Sequence, residues 1–420
     1  MPASVRVFVV FVLIAAVTSA CTSDPNGTEA TRSVPNETLL LGTSGGPLAV
    51  DVPSGDLVVD GRGAVASADG ARIYTSDPSQ RGTVVRTLVA STGSEVSSTR
   101  IPGRLDVRVV SADGSRVAMV EPLARGYDPW TPVPRSTTTL VVADPSGDDE
   151  TLRYRLHGNF EPEAFSTSGS ELFLIQYLPA EAPAVYRVTL LDLGSGDVRP
   201  AVGPFKGPAE RMPGQRLEQV PAVDGSALFT LYTSGRPGFA PHDAPVPANA
   251  IVSFVHVLSL REGWAHCVGL PRALWGQPAS AEAMAVSPDG GRLYVVDADK
   301  GVVVVMDTES LETFGPYRVR LPAPGSRTTA TVSADGGTLF VGTAGGEGAV
   351  TALDTTSLDV ARRWPMNGGV SGLGLSLDGA RLYVALPDRL EVLSAASGAD
   401  LGEVSLPSPS PVQAISAIAA

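Results

Sequence analysis

Few residues in this 420-residue chain are spaced for chemistry. Gly42-Thr43-Ser44-Gly45-Gly46 fits G-x-S-x-G, the turn that lifts a nucleophilic serine between a strand and a helix. The residues after it alternate like a second strand, and a parallel stretch, Gly342-Thr343-Ala344-Gly345-Gly346, has Ala where the serine should be. The motif therefore reads as a strand-to-strand turn. The four histidines, His157, His242, His256 and His266, form no close-spaced ligand pair. His256 and His266 fall in the third and fourth strands of one repeat and read as buried or edge residues. Asp297-x-Asp299 sits in a turn, where acids are common, and Asp148-Asp149-Glu150 reads as solvated. Walker and G-x-G-x-x-G phosphate loops are absent. Cys267, in WAHCVGL, reads as a small buried apolar residue. No catalytic set assembles, no metal or cofactor is expected, and the reading leans away from an enzyme.

One residue does carry a chemical expectation. Arg6 precedes an apolar run, Val7 to Val17, followed by Thr18-Ser19-Ala20 and then Cys21. A charged start, an apolar run and a small-residue zone make a secretory signal. The run is shorter than the roughly 20 residues a membrane-spanning helix needs. Cys21 after small residues resembles the lipobox of bacterial lipoproteins, although Thr18 stands where Leu is usual. The resemblance implies cleavage before Cys21, a diacylglycerol on its thiol and an acylated amino terminus, a stable membrane anchor. It places the chain outside the cytoplasm, on the bacterial membrane; a secreted protein is the alternative. Residues 1–20 are then signal, 21–38 a lipidated tether without a periodic apolar face, and 39–420 the folded domain.

What must position any site is a β architecture. Gly and Pro number 45 and 35, charged residues are 18% and the hydrophobic class is 43%. That mixture suits many short strands and turns, and excludes a disordered chain or a long coiled coil. The net charge of −13 leaves no basic footprint for nucleic acid. One pattern recurs: alternating apolar residues, Ser/Ala-x-Asp-Gly, two residues, then a second apolar stretch. It runs as VASADGARIYTSD (65–77), AVSPDGGRLYVVD (285–297), TVSADGGTLFVGT (331–343) and GLSLDGARLYVAL (374–386), with related copies between them. Asp can accept hydrogen bonds from the amides ahead of it, and Gly supplies the positive φ of a tight hairpin.

Each hairpin is followed by two more strands, so each repeat is four antiparallel strands, a to d, the unit of a β-propeller blade. VSPDGGRLYVVDADKGVVVVMDTESLE (286–312) resembles the YVTN-type repeat of bacterial extracytoplasmic propellers, lactonase-like and WD-like in style. The resemblance implies a single all-β propeller and says little of activity, because propellers host many unrelated functions. Seven hairpin glycines set a floor of seven blades. The segment 39–59 aligns with 339–360 as strands b to d, and 411–420 reads as a strand a. Together they would close an eighth blade; seven is the alternative.

The hairpin glycines, Gly70, Gly114, Gly169, Gly225, Gly290, Gly336 and Gly379, are spaced 44, 55, 56, 65, 46 and 43 residues apart. The three long spacings are consecutive. Their extra residues fall between b and c or between d and the next a, connections that share one propeller face. These loops carry Arg125, Tyr127, Trp130, Arg211, Phe239, His242, Asp243 and Trp275. Aromatics with Arg on loops are interface anchors. The expectation is a monomeric, membrane-anchored binding or scaffold module for a protein or envelope polymer, acting through this face. The alternatives are a lactonase- or hydrolase-type enzyme using His242, Asp243 and Arg211, or a cell-wall polysaccharide binder. Converging His, Arg and acid groups at the channel mouth would favour the enzyme; a mouth of Gly, Ala and Val would oppose it. Aromatics lying along a groove would favour the polysaccharide binder.

Overall fold

A computed structural model describes residues 37–43, 45–61, 63–122, 133–203, 211–212, 214–234, 252–276, 279–406 and 412–419. These form eight four-stranded antiparallel sheets in a ring, an eight-bladed β-propeller. Blade 1 is composite: the last strand, Val412–Ala419, is its inner strand and pairs antiparallel with Glu37–Thr43, from Glu37↔Ala419 to Thr43↔Val412. Blades 2 to 8 follow in chain order, each running outwards from a to d. The two ends of the domain are thus hydrogen-bonded into one sheet, and that closure leaves no open seam.

The repeat builds the hairpins of blades 2, 3, 6, 7 and 8 the same way. In blade 6 the Ser287 hydroxyl and the Gly291 amide both donate to Asp289 Oδ1, at 2.5 and 3.0 Å, and the Gly290 amide donates to the Ser287 carbonyl. Gly290 adopts φ 75°, which a side chain would strain. The serine bond, above all, holds the Asp289 carboxyl below its usual range, and Asp69, Asp113, Asp335 and Asp378 behave alike. Alternating apolar residues put Val and Leu on both blade faces, so the core lies between blades. Eight buried clusters fill the eight interfaces, for example Phe229, Val257, Leu293 and Val304 between blades 5 and 6. Between blades 8 and 1, Leu39, Leu41, Tyr383 and Val392 do the same.

Strand a runs from the face of the d–a and b–c connections to the face of the Asp-Gly hairpins. The first face is called the loop face, the second the hairpin face. Glu37, where the described chain begins, lies on the hairpin face. Its buried carboxylate accepts the Leu377 amide of the blade 8 hairpin, at 3.1 Å, and the Tyr383 hydroxyl.

Candidate functional site at the loop-face end of the channel

The inner strands border the central channel, and they are not alike. In blades 7, 8 and 1 they read TTATV, GLGL and VQAISAIA. Blade 8 is tight: a Cβ on Gly374 would stand 2.5 Å from the Ile415 carbonyl oxygen of blade 1. In blades 3, 4 and 5 the inner strands read DVRVV, NFEPEAF and QRLEQVP. All three are bulged. The register against strand b skips Arg108, Glu163 and Leu217. An extra residue breaks the alternation of faces and re-aims the side chains around it. Glu161 and Glu163, two apart, would share a face in a regular strand. Instead Glu161 turns to blade 3 and Glu163 to blade 5.

The result is a run of interblade charge pairs. Glu161, 2% exposed, accepts from Arg108 Nε at 2.6 Å and from Arg135 Nη2 at 2.5 Å. Arg108 also approaches Asp106 at 3.5 Å, and Arg135 Nε donates to Asn159 at 2.9 Å. Glu163 accepts from Arg216 at 3.1 and 3.2 Å and from Gln219 at 2.7 Å. Glu218 continues towards blade 6, accepting the Met284 amide at 2.6 Å. Glu282, first residue of the blade 6 inner strand, accepts the Ser253 hydroxyl at 2.6 Å. Nearby, Asp297 pairs with Lys300. Most of these groups lie in the first half of an inner strand or at a b–c connection, which is the loop-face half of the ring.

Burial sets the electrostatics. It pushes the Glu218 carboxyl up to about 7 and, with the Asp297 charge adding to it, the Glu282 carboxyl up to about 8. Burial also raises Asp106 and lowers the Arg327 guanidinium, against the pull of Glu218. Glu282 Oε2 and Arg327 Nε are buried without a hydrogen-bond partner. Unfilled buried polar atoms are costly, and a bound polar molecule can fill them. This half of the ring thus holds fixed carboxylates and guanidiniums in pairs, two carboxyls raised towards neutrality, and two buried polar atoms without a hydrogen-bond partner.

Neither a family model nor a curated protein matches this chain in sequence. Solved structures do match in shape. AztD from Citrobacter koseri, in its apo form, is 13% identical, with 91% of this chain and 97% of that one covered and a TM-score of 0.51. A putative 6-phosphogluconolactonase from Bacteroides uniformis is 16% identical over 91% and 100% of the two chains, at a TM-score of 0.42. Sqt1 from Saccharomyces cerevisiae is 8% identical over 81% and 84%, at 0.47. The likeness is one of fold.

Of the residues singled out by sequence, Cys21, Arg125, Tyr127, Trp130, Phe239, His242 and Asp243 lie outside the described residues. Arg211 is exposed on the connection between blades 4 and 5, beside Met212, whose backbone pairs with Tyr186. Trp275 is anchored inward. Its indole N–H donates to the Leu270 carbonyl at 2.8 Å, and the Arg272 guanidinium stands 5.6 Å from its ring. It packs the connection between blades 5 and 6 and offers only part of its surface. Cys267, half-buried, sets its Sγ 3.1 Å from Met212 Sδ. His256 is buried beside the stacked rings of Tyr186 and Tyr232, a ladder that continues to Phe254.

The sequence reading missed Asp106, Arg108, Arg135, Glu161, Glu163, Arg216, Glu218, Glu282 and Arg327. A signal was there. Aligning the residues before each hairpin sets Glu and Arg in blades 3 to 5 against Thr, Gly, Leu and Ala in blades 7 and 8.

Proposed function

We propose that this chain is a membrane-anchored, extracytoplasmic binding propeller that seats a polar ligand or partner group at the loop-face mouth of its channel. One observation carries the reading. The three blades with bulged, charged inner strands are the same three whose connections are lengthened. Buried charge in the same blades as lengthened connections is the arrangement of a recognition site.

The test uses the lipidated full chain as bait for envelope extracts, beside a Glu218→Gln/Arg327→Gln variant. A species retained by the first and lost by the second is the expected result. Equal retention refutes the site. Labelling with a radioactive fatty acid, lost in Cys21→Ser, checks the anchor; unlabelled wild type refutes it.

The pair of raised carboxyls supports a second reading, a hydrolase using Glu218 or Glu282 as general acid. Turnover of a lactone panel, abolished in Glu218→Gln, would establish it. No turnover leaves binding as the function.

A further inference from the structure

A second site lies away from the loop face, on the rim between blades 6 and 7. The outer strand of blade 6, Thr313–Arg318, reads TFGPYR and is exposed almost throughout. Phe314 and Tyr317 are 48% and 42% exposed. Three residues apart, they would lie on opposite faces of a regular strand. A bulge prevents this: Phe314 pairs with Val305 and Tyr317 with Val303, so three steps on the outer strand match two on its neighbour. Both rings therefore share the face that Val303 and Val305 turn to blade 7. Gly315 makes room for one of them, since a Cβ there would stand 2.9 Å from the Tyr317 ring.

These rings border a cavity of about 360 Å³, with Arg292 and Asp307 at one end and Thr355 and Thr356 of blade 7 on the far wall. Two exposed rings together with hydroxyl, carboxylate and guanidinium groups line an amphipathic cleft. Its size is at the low end for small-molecule sites.

We propose that this cleft binds a saccharide, one or two pyranose units of a longer chain. The C–H face of a sugar ring is apolar and lies flat on an aromatic ring, while its hydroxyls both donate and accept, matching Asp307, Arg292 and Thr356. Other occupants fit less well. Pro316 and the bulge interrupt the free edge, so a peptide cannot add as a further strand. The cleft offers far less than the roughly 800 Å² per partner of a stable protein interface. An acyl chain would lay hydrocarbon against the charged Arg292 and against Asp307, whose carboxylate is already held by the Glu309 and Ser310 amides and the Ser310 hydroxyl.

The site stands apart from the loop-face reading and is tested separately. The probes are cellotetraose, maltotetraose and tetra-N-acetylchitotetraose, titrated by calorimetry into the full chain. Variants are Phe314→Ala/Tyr317→Ala and Arg292→Met; the exposure of the two rings predicts an unchanged melting temperature in the first. The expected result is that at least one probe binds, and that the aromatic variant weakens it tenfold or more with Arg292→Met intermediate. Absence of binding up to about 10 mM of every probe, tenfold beyond a 1 mM dissociation constant, overturns the proposal. So does binding that the aromatic variant leaves unchanged.

Discussion

Glu282 allows the electrostatics of the channel mouth to be weighed quantitatively. The residue is 5% exposed; its carboxyl accepts one bond from Ser253 and is pushed up to about 8 by burial, from an ordinary value of 4.5. Below pH 4.5 the group is protonated in both the folded and unfolded chain and contributes nothing. Between 4.5 and about 8 the unfolded chain releases the proton and the folded chain keeps it, so stability falls as pH rises. Above about 8 the loss is complete. At about 1.4 kcal/mol per pH unit, the interval amounts to at most about 5 kcal/mol; relaxation and water entry should reduce this to about 2–3 kcal/mol. Glu282→Gln mimics the protonated form and keeps an acceptor for Ser253. The variant should match wild type near pH 5 and exceed it by that amount near pH 8.5. Urea denaturation of both proteins from pH 5 to 8.5 measures the difference directly. Parallel stability curves across the range would show that Glu282 is solvated or ionised in the folded protein, and would refute the account of the site given above.

Three further outcomes follow from named contacts. Glu161→Leu strands the Arg108 and Arg135 guanidiniums and should cost about 3–5 kcal/mol; adding Arg108→Met and Arg135→Met should recover most of it in the same denaturation assay. Deleting 412–420 removes Val412, Ile415 and Ile418 from two interfaces and opens the Glu37–Thr43 strand. At roughly 2 kcal/mol per buried side chain, the loss rivals a typical domain's total stability, so the truncated chain should be insoluble or lack a cooperative melt. Trp275→Ala should lower the melting temperature, and its effect on envelope capture should be smaller than that of Glu218→Gln/Arg327→Gln, because the indole is spent on Leu270 and Arg272.

The ring was legible because its construction repeats. Ser/Ala-x-Asp-Gly spells out a turn chemically, and six such copies with one Ser-Gly variant at 168–169 spell out seven blades; the likeness of 39–59 to 339–360 then gave the closing blade, which the pairing of Glu37–Thr43 with Val412–Ala419 matches. The long connections were legible by counting between hairpin glycines. The charged mouth was not, and bulges are the reason. A period-two pattern assigns Glu161 and Glu163 to one face, and no turn residue announces the extra residue that separates them. Pairing across blades was equally hidden. Arg108 and Glu161 are 53 residues apart, and only ring geometry makes them neighbours. Trp275 shows the reverse limit: an aromatic residue on a lengthened loop reads as an anchor until its acceptor, five residues back, is seen.

The charge pairs also bear on why the site is built as it is. If they served only to hold blades together, the other interfaces would need an equivalent. Among the described residues they have no such ion pairs: blades 7, 8 and 1 join through Val370, Leu373, Leu382, Ile415 and a glycine-lined inner strand, with the one buried carboxylate there, Glu37, held by an amide and a hydroxyl on the hairpin face. Bulging alone is not the mark either, since the closing strand is bulged at Gln413 and carries no charge there. What distinguishes blades 3 to 5 is the conjunction of bulge, buried charge and long connection. Each bulge gives up ladder hydrogen bonds and each buried ion loses hydration, so the conjunction lowers stability where apolar packing would have sufficed. Departures from the locally stable choice, gathered at one mouth of an otherwise regular ring, are what a recognition site requires.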